Sequence, residues 1–217
     1  MAAGLHRLVL LGLLLHAFSA IAHRLDEFLQ TTFIAVGTNQ IALSLSLTPG
    51  VDVAPQIVSL IDGNRDGSLS RQEIANYAEH VRTNLTLVVD SKKLPLVLTS
   101  SKFPDVTEMN AGVGVISLQL TAVTTHFSAG THRLRFANEH QTNSSVYLAN
   151  ALVPESKSIQ IGRQVRDFRQ TTLAFEFTFD PGTTTAGLPA NSPPIGSASP
   201  KPKLKSAGPP STVPPSP

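Results

Sequence analysis

Thr172-Leu173-Ala174-Phe175-Glu176-Phe177-Thr178-Phe179 decides the fold class of this chain. Leu173, Phe175, Phe177 and Phe179 recur at every second residue, with Ala174, Glu176 and Thr178 between them. A strand sends alternate side chains to opposite faces, so this period places four large apolar groups on one side of a sheet. Moving outward, the same period recurs at Ile41, Leu43, Leu45 and Leu47, at Leu85, Leu87 and Val89, and at Leu94, Leu96 and Leu98. It returns at Ile116, Leu118 and Leu120, and at His132, Leu134 and Phe136. Asp90-Ser91-Lys92-Lys93 has the composition of a hairpin turn. Residues 28–36 and 146–153 are more evenly apolar and are expected as interior strands, and 158–165 is a further candidate. About nine short strands with turn residues between them predict a mainly β, antiparallel β-sandwich-like domain over residues 23–180.

One region, 54–85, departs from period two. Residues 55–61 form a short apolar run with Pro55 near its start, where a helix tolerates proline. Ile74, Tyr77, Ala78, Val81 and Leu85 then follow at helical spacing. A helix–loop–helix is therefore expected as an insert between two strands.

The loop of that insert reads Asp62-Gly63-Asn64-Arg65-Asp66-Gly67-Ser68-Leu69-Ser70-Arg71-Gln72-Glu73. It matches the twelve-residue EF-hand pattern at each diagnostic position. Asp62, Asn64 and Asp66 would supply side-chain oxygens at loop positions 1, 3 and 5. Gly67 would allow the sharp bend at position 6, and Ser68 would offer its carbonyl. Ser70 would act directly or through water, and Glu73 would close the shell with both oxygens. Leu69 is expected to turn away from the ion and pack. The expected cofactor is therefore Ca2+, held by Asp62, Asn64, Asp66, Ser68, Ser70 and Glu73. Ser70 and Glu73 also form a capping box for the second helix, a role compatible with ion binding. No second such loop is found in the sequence.

Composition bounds the rest. The chain has 217 residues, no Cys, and 17 Lys and Arg against 15 Asp and Glu. Without Cys there is no disulfide framework, thiolate metal site or thiol nucleophile. Arg7, Lys201, Lys203 and Lys205 lie in the end segments, while every acidic residue lies between them, so the middle is slightly acidic. The basic balance is thus no nucleic-acid footprint. Residues 1–22 combine Arg7, an apolar run and Ala20-Ile21-Ala22, which predicts a cleaved signal peptide with His23 as the new N-terminus. The product is expected to be exported, periplasmic or extracellular, with no transmembrane segment after cleavage. Residues 181–217 hold 11 of the 16 prolines and are expected as a disordered Pro/Ser/Gly-rich tail.

Segments 23–30 and 146–154, with Leu47-Thr48-Pro49-Gly50-Val51 and the loop, resemble bacterial exported EF-hand domain-containing proteins. Similar domains precede HupE/UreJ-like or nickel/cobalt-type membrane segments. The resemblance implies calcium binding in an exported module with a protein or cell-surface partner. The alternative it implies is a periplasmic nickel, cobalt or copper domain serving a separate membrane transporter. His23 would begin such a site, with His80, His126, His132 or His140 as further ligands. No nucleophile elbow, zinc-protease motif or phosphate loop is present, so no enzyme is expected. Lys157, Arg163, Arg166 and Arg169 read as a charged strand edge that discourages aggregation.

Overall fold

Ten strands form two five-stranded sheets, whose inner faces meet in one apolar core. The computed structural model describes residues 26–124 and 126–183, all within the first of the chain's two units, Met1–Thr185. Residues 1–25, which include the expected signal peptide and His23, and residues 184–217 of the expected tail lie outside the described residues.

The first sheet contains β1 (Phe28–Val36), β2 (Gln40–Pro49), β5 (Val97–Lys102), β6 (Ile116–Val123) and β8 (Ser145–Ala151). Its spatial order is β5-β6-β2-β1-β8. The second sheet contains β3 (Leu85–Val89), β4 (Lys92–Leu94), β7 (Gly130–Asn138), β9 (Ile159–Arg166) and β10 (Thr172–Phe179), in the order β4-β3-β7-β10-β9. The expected β-sandwich-like fold is what the chain adopts. The period-two residues point inward as expected: Ile41, Leu43, Leu45 and Leu47 face Leu134, Phe136, Leu173, Phe175 and Phe177 across one core. Burying these side chains contributes roughly 1.5–3 kcal/mol each, before the entropy of ordering them is set against it.

Three details differ from the sequence expectation. First, β1 and β8 run parallel, with Leu29 opposite Val146 and Phe33 opposite Asn150. The other pairings are antiparallel. Secondly, β1 and β8 are not uniformly interior. β1 buries Phe28, Gln30, Thr32, Ile34 and Val36, and leaves Leu29 and Phe33 part-exposed. Thirdly, Leu94, Leu96 and Leu98 do not share one strand. β4 pairs with β3 in the second sheet, whereas β5 pairs with β6 in the first. Pro95 lacks the N–H a ladder needs, so the chain leaves one sheet there and enters the other. The turn before β4 is tight: Asp90 and Ser91 both have positive φ, 48° and 67°, the signature of a two-residue type I′ hairpin.

Helices α1 (Ala54–Ile61) and α2 (Arg71–Thr83) form the insert between β2 and β3. α1 buries Ala54, Ile57 and Ile61, and α2 buries Tyr77, Ala78 and Val81. The Arg82 guanidinium donates to the Leu96 carbonyl at 3.1 Å, which fastens α2 to the crossing between the sheets. A short helix, α3 (Val106–Asn110), is additional. Asp105 and Glu108 form both arms of its capping box. Pro181–Thr183 make a 3-10 turn after β10.

Free edges are closed by side chains. Gln164 on β9 accepts from the Ala151 N–H at 3.0 Å and donates to the Ala151 carbonyl at 3.2 Å. Arg166 donates through Nε to the Ala149 carbonyl at 2.8 Å. The free edge of β8 in one sheet is thereby occupied from the other sheet, which removes a template for foreign strands.

Candidate functional site

The loop joining α1 to α2 is organised by its own polar side chains. Asp62 ends α1, its N–H donating to the Val58 carbonyl at 2.8 Å, and the residue is 5% exposed. Its Oδ1 accepts from the Asp66 N–H at 3.2 Å and its Oδ2 from the Gly67 N–H at 2.9 Å. Asn64 Oδ1 accepts from the Asp66 N–H at 3.0 Å, and Asp66 Oδ1 from the Ser68 N–H at 2.8 Å. Short polar side chains bonded to the backbone two to five residues ahead turn the chain back on itself. Gly67 sits at φ 80°, where a Cβ would be strained, and Arg65 also takes a positive φ of 60°.

Glu73 closes the loop. Its Oε1 accepts from the N–H of Gly63 at 2.9 Å and of Asn64 at 3.3 Å. Its Oε2 accepts from the Ser70 N–H at 2.9 Å and the Ser70 hydroxyl at 2.7 Å. The Ser70 side chain and backbone donors hold the Glu73 carboxyl below its ordinary range, with the Asn64 and Gly63 N–H groups adding to the effect and a small desolvation opposing it. The Ser70 Oγ in turn accepts from the Glu73 N–H at 3.3 Å, completing the capping box. Leu69 packs against the core as expected.

Of the sequence-derived candidates, Asp62, Asn64, Asp66, Ser68, Ser70 and Glu73 therefore share one loop. The carboxylates engage loop N–H groups, and among the described residues no three His, Asp or Glu side chains converge as a metal cluster. The residues nonetheless fit a calcium ion in donor chemistry. Asp62, Asn64, Asp66 and Glu73 present hard oxygens, the class Ca2+ selects.

The structure brings together a second group of polar residues that the sequence did not connect. α2 places Tyr77 one turn beyond Glu73, and the Tyr77 hydroxyl lies 3.0 Å from His140 Nε2 in the β7–β8 turn. The His140 carbonyl accepts from Gln30 Nε2 at 2.8 Å and from the Tyr147 hydroxyl at 2.6 Å. Asn138 bridges the two, donating to Gln30 Oε1 at 2.9 Å and accepting from the His140 N–H at 3.0 Å. Burial pushes the His140 imidazole down to about 4, with the neighbouring His80 adding to the effect. Burial likewise raises Tyr77 and Tyr147. The missed signal was the polar pair Gln30 and Thr32 in an apolar strand, which marks an inward-facing polar position needing partners.

His132 has a different environment. Its Nδ1 lies 2.6 Å from Asp90 Oδ2 and its Nε2 lies 2.8 Å from the Ser128 carbonyl. Both neighbours only accept, so both ring nitrogens are placed to donate, an arrangement that favours the charged ring. Burial opposes that charge, yet the bonds to Asp90 and Ser128 outweigh it and raise its pKa. Arg163 and Arg166 lie on the edge strand β9, with Lys157 in the turn before it and Arg169 in the turn after it, and Arg166 is drawn into the β8 edge.

Comparison of the chain with family models and with curated proteins finds no match. Among the described residues no helix is long and apolar enough to cross a membrane.

Proposed function

We propose that residues 62–73 bind calcium and that the ion has a structural role in an exported binding module. The supporting observation is the closed loop, in which Asp62, Asn64, Asp66 and Glu73 hold their oxygens through N–H groups of the loop itself. The loop gathers these oxygens within twelve residues, and an ion would take the place of N–H groups they now accept from. In the bound form Asp62, Asn64 and Asp66 would coordinate through side-chain oxygens, Ser68 through its carbonyl and Ser70 directly or through water. Glu73 would exchange its hydrogen bonds for both remaining contacts.

Three formal charges and a single site suit the extracellular affinity class, Kd about 10⁻⁴ to 10⁻³ M. At ion concentrations ~100 times Kd the stabilisation is about 2.7 kcal/mol. α1 and α2 carry buried core residues, so tightening the loop between them stabilises the whole insert. The signal-like leader, the exported location and the resemblance to exported EF-hand proteins belong to the same reading. Its test is thermal unfolding of the mature chain in calcium and in chelator. Calcium should raise the melting temperature, and Glu73→Ala should remove most of the rise. Identical melting in both buffers would overturn the reading.

A further inference from the structure

The imidazole nitrogens differ sharply in how they are used. Both nitrogens of His132 face oxygen acceptors. In His140 only Nε2 has a partner, the Tyr77 hydroxyl. Nδ1 is fully buried and bonded to nothing, in a residue 1% exposed. A buried unpaired nitrogen loses its hydration without return, and its presence calls for an ion or water. Beside it stands His80 on α2, exposed on the helix surface, and among the described residues its ring makes no hydrogen bond. The two ring centroids are 5.4 Å apart with planes at 73°. Two imidazoles bound to one tetrahedral ion, each at about 2.1 Å, have centroids about 5 Å apart.

We propose that His80 and His140 form a binding site for a borderline divalent ion such as zinc, nickel or copper, distinct from the calcium loop. Imidazole suits these ions, whereas the all-oxygen loop does not. Tyr77 is the positioning residue. When His140 donates Nε2–H to the Tyr77 oxygen, Nδ1 keeps a bare lone pair, the form a metal requires. A cavity of about 360 Å³ bordered by Gly63, Glu73, Asn76, Tyr77 and His80 opens the His80 ring to solvent. Water would complete the coordination.

The test is titration of the full mature chain, saturated with calcium, with zinc chloride, following imidazole nitrogens by long-range ¹⁵N NMR. His140 Nδ1 and one His80 nitrogen should shift together. His80→Ala, a change on an exposed position that leaves the core intact, should weaken zinc affinity by about tenfold or more. It should keep the calcium-dependent rise in melting temperature. Glu73→Ala should lose the calcium response and keep the zinc response, so each site fails independently. Zinc that leaves both rings unmoved, or binds His80→Ala as tightly as the parent, would refute the site and leave the ring pair as edge-on packing.

Discussion

The Tyr77 hydroxyl and His140 Nε2, 3.0 Å apart, join the helix that leaves the loop to the turn between β7 and β8. Through the His140 carbonyl the contact continues to Gln30 on β1 and Tyr147 on β8. Removing the phenolic oxygen leaves a second imidazole nitrogen buried without a partner, and such a group costs about 1–3 kcal/mol. Tyr77→Phe should therefore lower the unfolding free energy by about that amount, read from the urea midpoint at unchanged slope. A loss below a few tenths of a kcal/mol would show that water replaces the hydroxyl.

His140 also predicts an acid limb of stability. Its folded pKa, about 4, lies below the ordinary imidazole value near 6.5. Between those values the unfolded chain binds a proton that the folded chain refuses, so stability falls as pH drops through that window. The full loss is of the order of 3 kcal/mol. Unfolding free energies measured from pH 7 to 4 should fall accordingly relative to a His140→Gln variant that keeps His132; equal profiles for the two chains would mean that the buried ring charges freely.

His132 has the opposite sign. Its folded pKa is raised, so its contribution is fully present below the ordinary imidazole range and is lost as pH rises through the folded value. NMR titration should place the ring above a free imidazole. Asp90→Asn, which removes the charge at 2.6 Å, should bring it back down. An unchanged titration in that variant would assign the shift to the Ser128 carbonyl alone.

Capping and ion binding are separable at Ser70. Its hydroxyl bonds Glu73 and caps α2, and loss of such a cap typically costs about 1 kcal/mol. Ser70→Ala should lower stability by that amount with or without calcium and should retain most of the calcium-dependent rise. A variant that melts like the parent in chelator would exclude the capping role.

The β8 edge is held by Gln164 and Arg166. Replacing both by Ala would leave the Ala151 N–H and carbonyl and the Ala149 carbonyl open to another chain. Concentration-dependent self-association should then appear in sedimentation velocity while the parent stays unchanged. A monomeric double variant would show that the edge needs no such cover.

The strand periods of residues 41–47, 116–120, 132–136 and 173–179 were legible because each strand has one face in a common core. The α1–loop–α2 insert was legible for a related reason. Capping and bending act over twelve residues, so the sequence carries them locally. The short helix α3 was carried locally too, in Asp105 and Glu108, but five residues give too little period to separate helix from turn.

Other features needed the tertiary arrangement. Nothing in Leu94-Pro95-Leu96-Val97-Leu98 states that the chain changes sheets there, because strand partners lie far away in sequence. The parallel pairing of β1 with β8 has the same origin, and so does the inward turn of Gln30. Gln30, Tyr77, Asn138 and His140 are separated by up to 110 residues, yet they form one buried network. The sequence by itself determined the β class, the helical insert and the oxygen-rich loop, since each rests on contacts between near neighbours. Only the folded chain decided which imidazole has acceptors at both nitrogens, which keeps a buried nitrogen without a partner, and that His80 and His140 lie side by side. Those properties depend on burial and partners that no local pattern encodes.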